Sequence, residues 1–83
     1  MRILVAEDEQ QLSHVLSSAM TASGYQVDIA NNGQEAVEQA KENAYDVIIL
    51  DIMMPVKSGL EALKEIRATG NRTYIMMLTA MGE

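Results

Sequence analysis

Apolar positions follow two rhythms that take turns along the chain. Ile3-Leu4-Val5-Ala6 is an unbroken apolar run, which predicts a short buried strand over residues 2–7. Leu12, Val15, Leu16, Ala19 and Met20 then recur at helical spacing and predict an amphipathic helix from about Glu9 to Ser23. Gly24 is a fitting stop, because glycine tolerates the left-handed conformation that ends many helices. Val27 and Ile29 alternate with Gln26 and Asp28, the period of a strand over residues 26–30.

The same succession repeats twice more. Asn31-Asn32-Gly33 reads as a turn, and Asn32 with Glu35 three residues on predicts a capping box for a second helix. Ala36, Val37 and Ala40 give that helix a narrow apolar stripe up to about Asn43. Residues 46–51 form the third predicted strand, whose continuous apolar run implies burial on both faces. After a loop over residues 52–58, Ser58 and Glu61 predict a second capping box, and Leu60, Leu63 and Ile66 recur at helical spacing. Gly70-Asn71 is a turn, and Tyr74 to Thr79 is a fourth strand. The order βαβαβαβ predicts an α/β protein with a parallel sheet, helices on both faces and right-handed crossovers.

Acids stand where this pattern ends its strands. Asp51 closes the third strand, and Glu7-Asp8-Glu9 follows the first. If those strands are neighbours, three or four carboxylates meet on one patch. Such a patch repels itself unless a hard cation occupies it, and oxygen-only donors suit Mg²⁺. In open parallel sheets ligands bind beyond the carboxyl ends of the strands.

Composition narrows the rest. With 83 residues, 48% of them hydrophobic, the chain suits one small domain with a packed core. It has no Phe or Trp, so the core draws on Ile, Leu, Val, Ala and seven Met. A net charge of −6 argues against nucleic acid as a direct partner of this segment. Without cysteine there is neither a disulfide frame nor a thiolate metal site. No apolar run approaches the roughly 20 residues of a membrane span and no signal peptide fits, so a cytoplasmic protein is expected.

Three motifs, in order and on the expected elements, carry a family likeness: Ile3-Leu4-Val5-Ala6-Glu7-Asp8-Glu9, then Asp46 to Asp51 running into Met54-Pro55 and Gly59, then Leu78-Thr79-Ala80. Across its whole length the chain resembles the receiver domain of bacterial two-component response regulators. The opening Glu-Asp, in place of two Asp, is similar to the subfamily with a winged-helix DNA-binding domain behind the receiver. The resemblance implies a flavodoxin-like doubly wound sheet, here four strands in the order 2-1-3-4 with three helices. It implies Asp51 as phosphoacceptor, Asp8 as a direct Mg²⁺ ligand, and Glu7 as a ligand held directly or through water. It gives Met53 a coordinating backbone carbonyl, Thr79 a contact with the phosphoryl oxygens, and Ala80 a place lining the pocket.

The implied partner is a sensor histidine kinase and the implied output is transcription. The family usually carries a fifth strand with a lysine that pairs with the acyl phosphate. This sequence reaches Glu83 just past its fourth predicted strand, so residues 1–83 read as an incomplete receiver domain. Two consequences are expected for such a chain: self-association through the exposed fourth strand, and phosphorylation that is slow or undetectable. An aspartyl-phosphate phosphatase is the competing chemistry. Those enzymes place a second Asp two residues after the first, where this sequence has Met53, which argues against turnover and against an enzyme. Lys57 and the sole histidine, His14, are expected to face solvent. The pairs Met53-Met54 and Met76-Met77 are expected to pack in the loop and the core.

Overall fold

The structure is a computed structural model that describes residues 1–78. Its elements are β1 (Arg2–Ala6), α1 (Gln10–Ala22), β2 (Gln26–Ala30), α2 (Gly33–Glu42), β3 (Val47–Asp51), α3 (Gly59–Ala68) and β4 (Tyr74–Leu78). The four strands are parallel and stand in the order β2-β1-β3-β4, as the resemblance implied. Thr79 and Ala80 lie outside the described residues.

Side chains that alternate along the strands divide the core between two faces. On one, Leu4, Ala6, Ile48 and Leu50 join Ala36, Val37 and Ala40 of α2 and Ala62 and Ile66 of α3. On the other, Ile3, Val5 and Ile49 meet Leu16 and Met20 of α1. β1 and β3 are the central strands, buried on both faces, which is why they read as unbroken apolar runs.

Burial corrects three details of the sequence reading. In α1, Val15 is 64% exposed and Leu12 39%. The covered stripe runs instead through buried Ser13, half-buried Leu16 and Met20. Ser13 tolerates this because its hydroxyl donates to the Gln10 carbonyl, 3.1 Å away. In α3, Leu60 is exposed and the stripe is Gly59, Ala62 and Ile66, of which the small Gly59 and Ala62 let the helix lie close to the sheet while Ile66 fills the core. Of the methionines, Met54 and Met77 pack against the larger core cluster, while Met53 and Met76 are exposed.

The helix ends show which local signals acted. Ser58 and Glu61 form the reciprocal capping box the sequence predicted. At α2 the Asn32 side chain accepts from the Glu35 N–H at 2.9 Å. The Glu35 carboxylate, however, takes the backbone N–H of Asn31, not that of Asn32. The box is thus displaced by one residue, because Asn32 is fully extended at φ −162°. Gly24 follows α1 at φ +94°, the left-handed stop expected of it.

Candidate cation and phosphoryl site

The site is assembled by strand order. β1 lies beside β3, with Ala6 opposite Leu50, so the residues that follow both strands emerge side by side. Glu7, Asp8 and Asp51 each bring a carboxylate oxygen to within 4.8 Å of the others. Asp51, the last residue of β3, is buried, and Glu7, the first residue past β1, is only 3% exposed. Asp8 is exposed and forms the solvent side of the cluster. Among the described residues no Lys or Arg makes an ion pair with any of the three.

Such a concentration of negative charge in a shielded place is costly, and one proton relieves it. Burial pushes the Glu7 carboxyl up from 4.5 to about 7, and the neighbouring Asp51 and Asp8 push the same way. The Glu9 N–H, which donates to Glu7 Oε2 at 3.0 Å, opposes the rise without cancelling it. Hard oxygen donors, converging and uncompensated, suit a divalent cation such as Mg²⁺.

The loop from β3 to α3 frames the other side. The Met53 N–H donates to Asp51 Oδ1 at 3.2 Å and so orients that carboxylate from its own chain. The Met53 side chain is exposed and takes no part in this. Further on, the Lys57 N–H donates to the Pro55 carbonyl at 2.7 Å, with Val56 between them at φ +68°. This is a γ-turn of the positive-φ hand, rare for any residue and more so for a β-branched one. Gly59 then turns back, its N–H on the Ile52 carbonyl at 2.9 Å. A methyl group at Gly59 would come within 2.8 Å of the Asp51 carbonyl carbon, so only glycine lets α3 begin there.

The remaining candidates stand apart. Lys57 pairs with Glu65 on α3 rather than reaching toward Asp51. His14 is exposed on α1. Thr79 lies outside the described residues, although Leu78, which precedes it, stands in register with Asp51. Sequence reasoning found the acids but not the γ-turn at Val56. Nothing in a valine announces a positive φ; the one available signal was the Pro55 before it, a common turn former.

A family model described as response regulator receiver domain matches residues 3–83. The transcriptional regulatory protein DltR of Streptococcus agalactiae is 40% identical over 83 residues, which is 100% of this chain and 37% of DltR. The CpxR homolog of Haemophilus influenzae, also a transcriptional regulatory protein, is 43% identical over 82 residues, 99% of this chain and 35% of its own. The chain thus spans little more than a third of the length of these curated relatives. Among solved structures, the response regulator TrrA of Thermotoga maritima, in complex with Mg²⁺-BeF, superposes with a TM-score of 0.90 at 42% identity. That match covers 98% of this chain and 70% of TrrA, and TrrA has also been solved in complex with the histidine kinase ThkA.

Proposed function

The chain belongs to the response regulator receiver domain family, and from that premise we propose that it accepts a phosphoryl group on Asp51 with the help of Mg²⁺. One observation carries the reading: three acidic oxygens converge within 4.8 Å at the carboxyl ends of two adjacent strands, with no base paired to them among the described residues. Glu7, Asp8 and Asp51, with the Met53 carbonyl, would hold the cation. When bound, Mg²⁺ supplies charge neutralisation for the acids and for the incoming phosphoryl group.

The chain's own groups do the rest. Asp51 is the nucleophile: its carboxylate oxygen forms a bond to phosphorus while the donor's bond to phosphorus breaks and the leaving group departs. The Met53 N–H keeps that carboxylate aligned. Thr79 follows Leu78 in sequence and is assigned a contact with the phosphoryl oxygens. A histidine kinase is the donor, as the pairing of TrrA with ThkA suggests, in the cytoplasm where ATP fuels such kinases. Transcription control, as in the names of DltR and the CpxR homolog, is the output. No direct nucleic-acid contact is assigned to this segment, given its net charge of −6.

Acyl-phosphate treatment with Mg²⁺, followed by intact-mass measurement, tests the reading. The expected result is a slow and partial gain of one phosphoryl group, lost on Asp51→Asn. The same mass gain in that variant overturns the assignment. An aryl phosphate should not be turned over, because Met53 occupies the place where a phosphatase keeps its general acid; sustained release of phosphate would instead make the chain an enzyme.

A second reading concerns assembly. Tyr74 is 63% exposed and Met76 44%, and no described strand pairs with the outer edge of β4. An apolar strand edge that no described strand covers supports pairing with a second copy. Sedimentation at high micromolar concentration should reveal dimers or larger species; a well-folded monomer would refute this.

A further inference from the structure

We propose that Gly33, on a different helix from any candidate ligand, is a positioning residue for the phosphoryl site: it is the seat on which the β3–α3 loop rests. The proposal builds on the site reading above. Gly33 is the first residue of α2 and is buried. A methyl group placed on it would come within 2.7 Å of the Lys57 carbonyl carbon and 2.9 Å of Lys57 Cβ, and nearer still to the carbonyl oxygen. Backbone therefore lies on backbone here, with no flexible side chain that could yield.

What rests on Gly33 is the tightest part of the loop. Lys57 closes the γ-turn whose centre, Val56, is held at φ +68° while its side chain is 80% exposed. A β-branched residue keeps such a conformation only when its surroundings impose it. Val56 packs against little, so the constraint comes from the loop's anchors on either side, the close contacts at Gly33 and Gly59, with the partly exposed Lys57–Glu65 ion pair adding little. A displaced Lys57 carbonyl would let the segment from Met53 to Val56 relax. The first functional contact to go would be the Met53 N–H on Asp51 Oδ1.

Gly33→Ala is the direct test, read on the 83-residue chain by amide NMR during a MgCl₂ titration. The expected result is a fold retained by circular dichroism, a shifted Met53 amide resonance before any Mg²⁺ is added, and Mg²⁺ affinity lowered about tenfold. A purely structural glycine would lower the melting temperature and leave both of the other readouts unchanged, and that result overturns the proposal.

Should Gly33→Ala fail to fold, amide hydrogen exchange of the wild-type chain decides. The Met53 and Lys57 amides should open together with the first turn of α2, because the loop rests on Gly33. Opening of the loop with no change at α2 overturns the seat. Asp8→Ala keeps the two readings apart. If wild type and Asp8→Ala respond alike to Mg²⁺, the site assignment has failed; if only wild type responds and Gly33→Ala matches it, the positioning role alone has failed.

Discussion

Two polar clusters sit at opposite ends of the same parallel sheet. At the amino ends of the strands, Arg2 gathers acids and acceptors around itself. Its guanidinium bonds Asp28 Oδ2 at 3.1 Å and Asn43 Oδ1 at 3.2 Å, and lies 5.1 Å from the centre of the Tyr45 ring. The Arg2 N–H donates to Asp46 Oδ2 at 2.8 Å, and the Tyr45 hydroxyl donates to Asp28 Oδ2 at 2.7 Å. At the carboxyl ends, Glu7, Asp8 and Asp51 meet without a base among the described residues.

One cluster is closed and the other is open. Charge that is matched inside the chain holds the chain together. Charge left unmatched needs something from outside, and that need is the mark of a binding site. Desolvation acts in both places. It lifts Glu7 to about 7, and with the help of Asp28 it lifts the Tyr45 hydroxyl to about 12. At Tyr45 the proton is kept in a bond the fold already makes. At Glu7 it substitutes for a cation.

The sharpest way to break this contrast is to remove one acid from each cluster. Asp8→Ala should abolish Mg²⁺-dependent spectral changes, whereas Asp28→Ala should leave Mg²⁺ affinity unaltered; titrating both with MgCl₂ decides. An effect of Asp28 on the metal would mean that the two ends are coupled and the contrast is false.

Next in size is the pH response without divalent cations. Between 4.5 and about 7 the folded chain holds a proton on Glu7 that the unfolded chain has released. This contribution to stability is therefore complete below 4.5 and is lost as the pH rises to about 7. Denaturant melts of wild type should lose up to a few kcal/mol across that window relative to Glu7→Gln, which carries no titrating proton. Mg²⁺ should erase the difference by compensating the charge. Parallel curves without Mg²⁺ would remove Glu7 from the account.

The smallest effects belong to the closed cluster. Asp28→Ala leaves the Tyr45 hydroxyl and the Arg2 guanidinium short of an acceptor and should cost about 1–2 kcal/mol, since the Arg2–Asp28 pair is about a third exposed and partly screened. Tyr45→Phe removes one hydrogen bond and should cost about 0.5–1.5 kcal/mol. Neither loss should vary with Mg²⁺; urea melts with and without the ion test this.

Legibility in the sequence followed the range of the signal. Strand runs such as Ile3 to Ala6 and Val47 to Leu50 announce themselves, because a strand covered on both faces has no polar positions. The Ser58–Glu61 box is local and was read correctly, while at Asn32 the Glu35 carboxylate took the N–H of Asn31, one residue earlier. The α1 stripe was half misread, because periodicity names a face but not which of its residues a neighbour covers. Val15 has the right spacing and stays 64% exposed. The acids of the site were legible because they end a strand run, as Asp51 does, or directly follow one, as Glu7 and Asp8 do. The close contact of Gly33 with Lys57 was not, since it joins backbone atoms 24 positions apart.

By itself the sequence determined the succession of strands and helices, the identity of the acids and the loops that carry them, because those follow from local preference and from the period of apolar residues. Only the tertiary structure decided that Glu7 is enclosed while Asp8 is not, and that α2 supports the loop beside Asp51. Burial and proximity are properties of how elements pack, and a charge acquires its chemistry from what surrounds it.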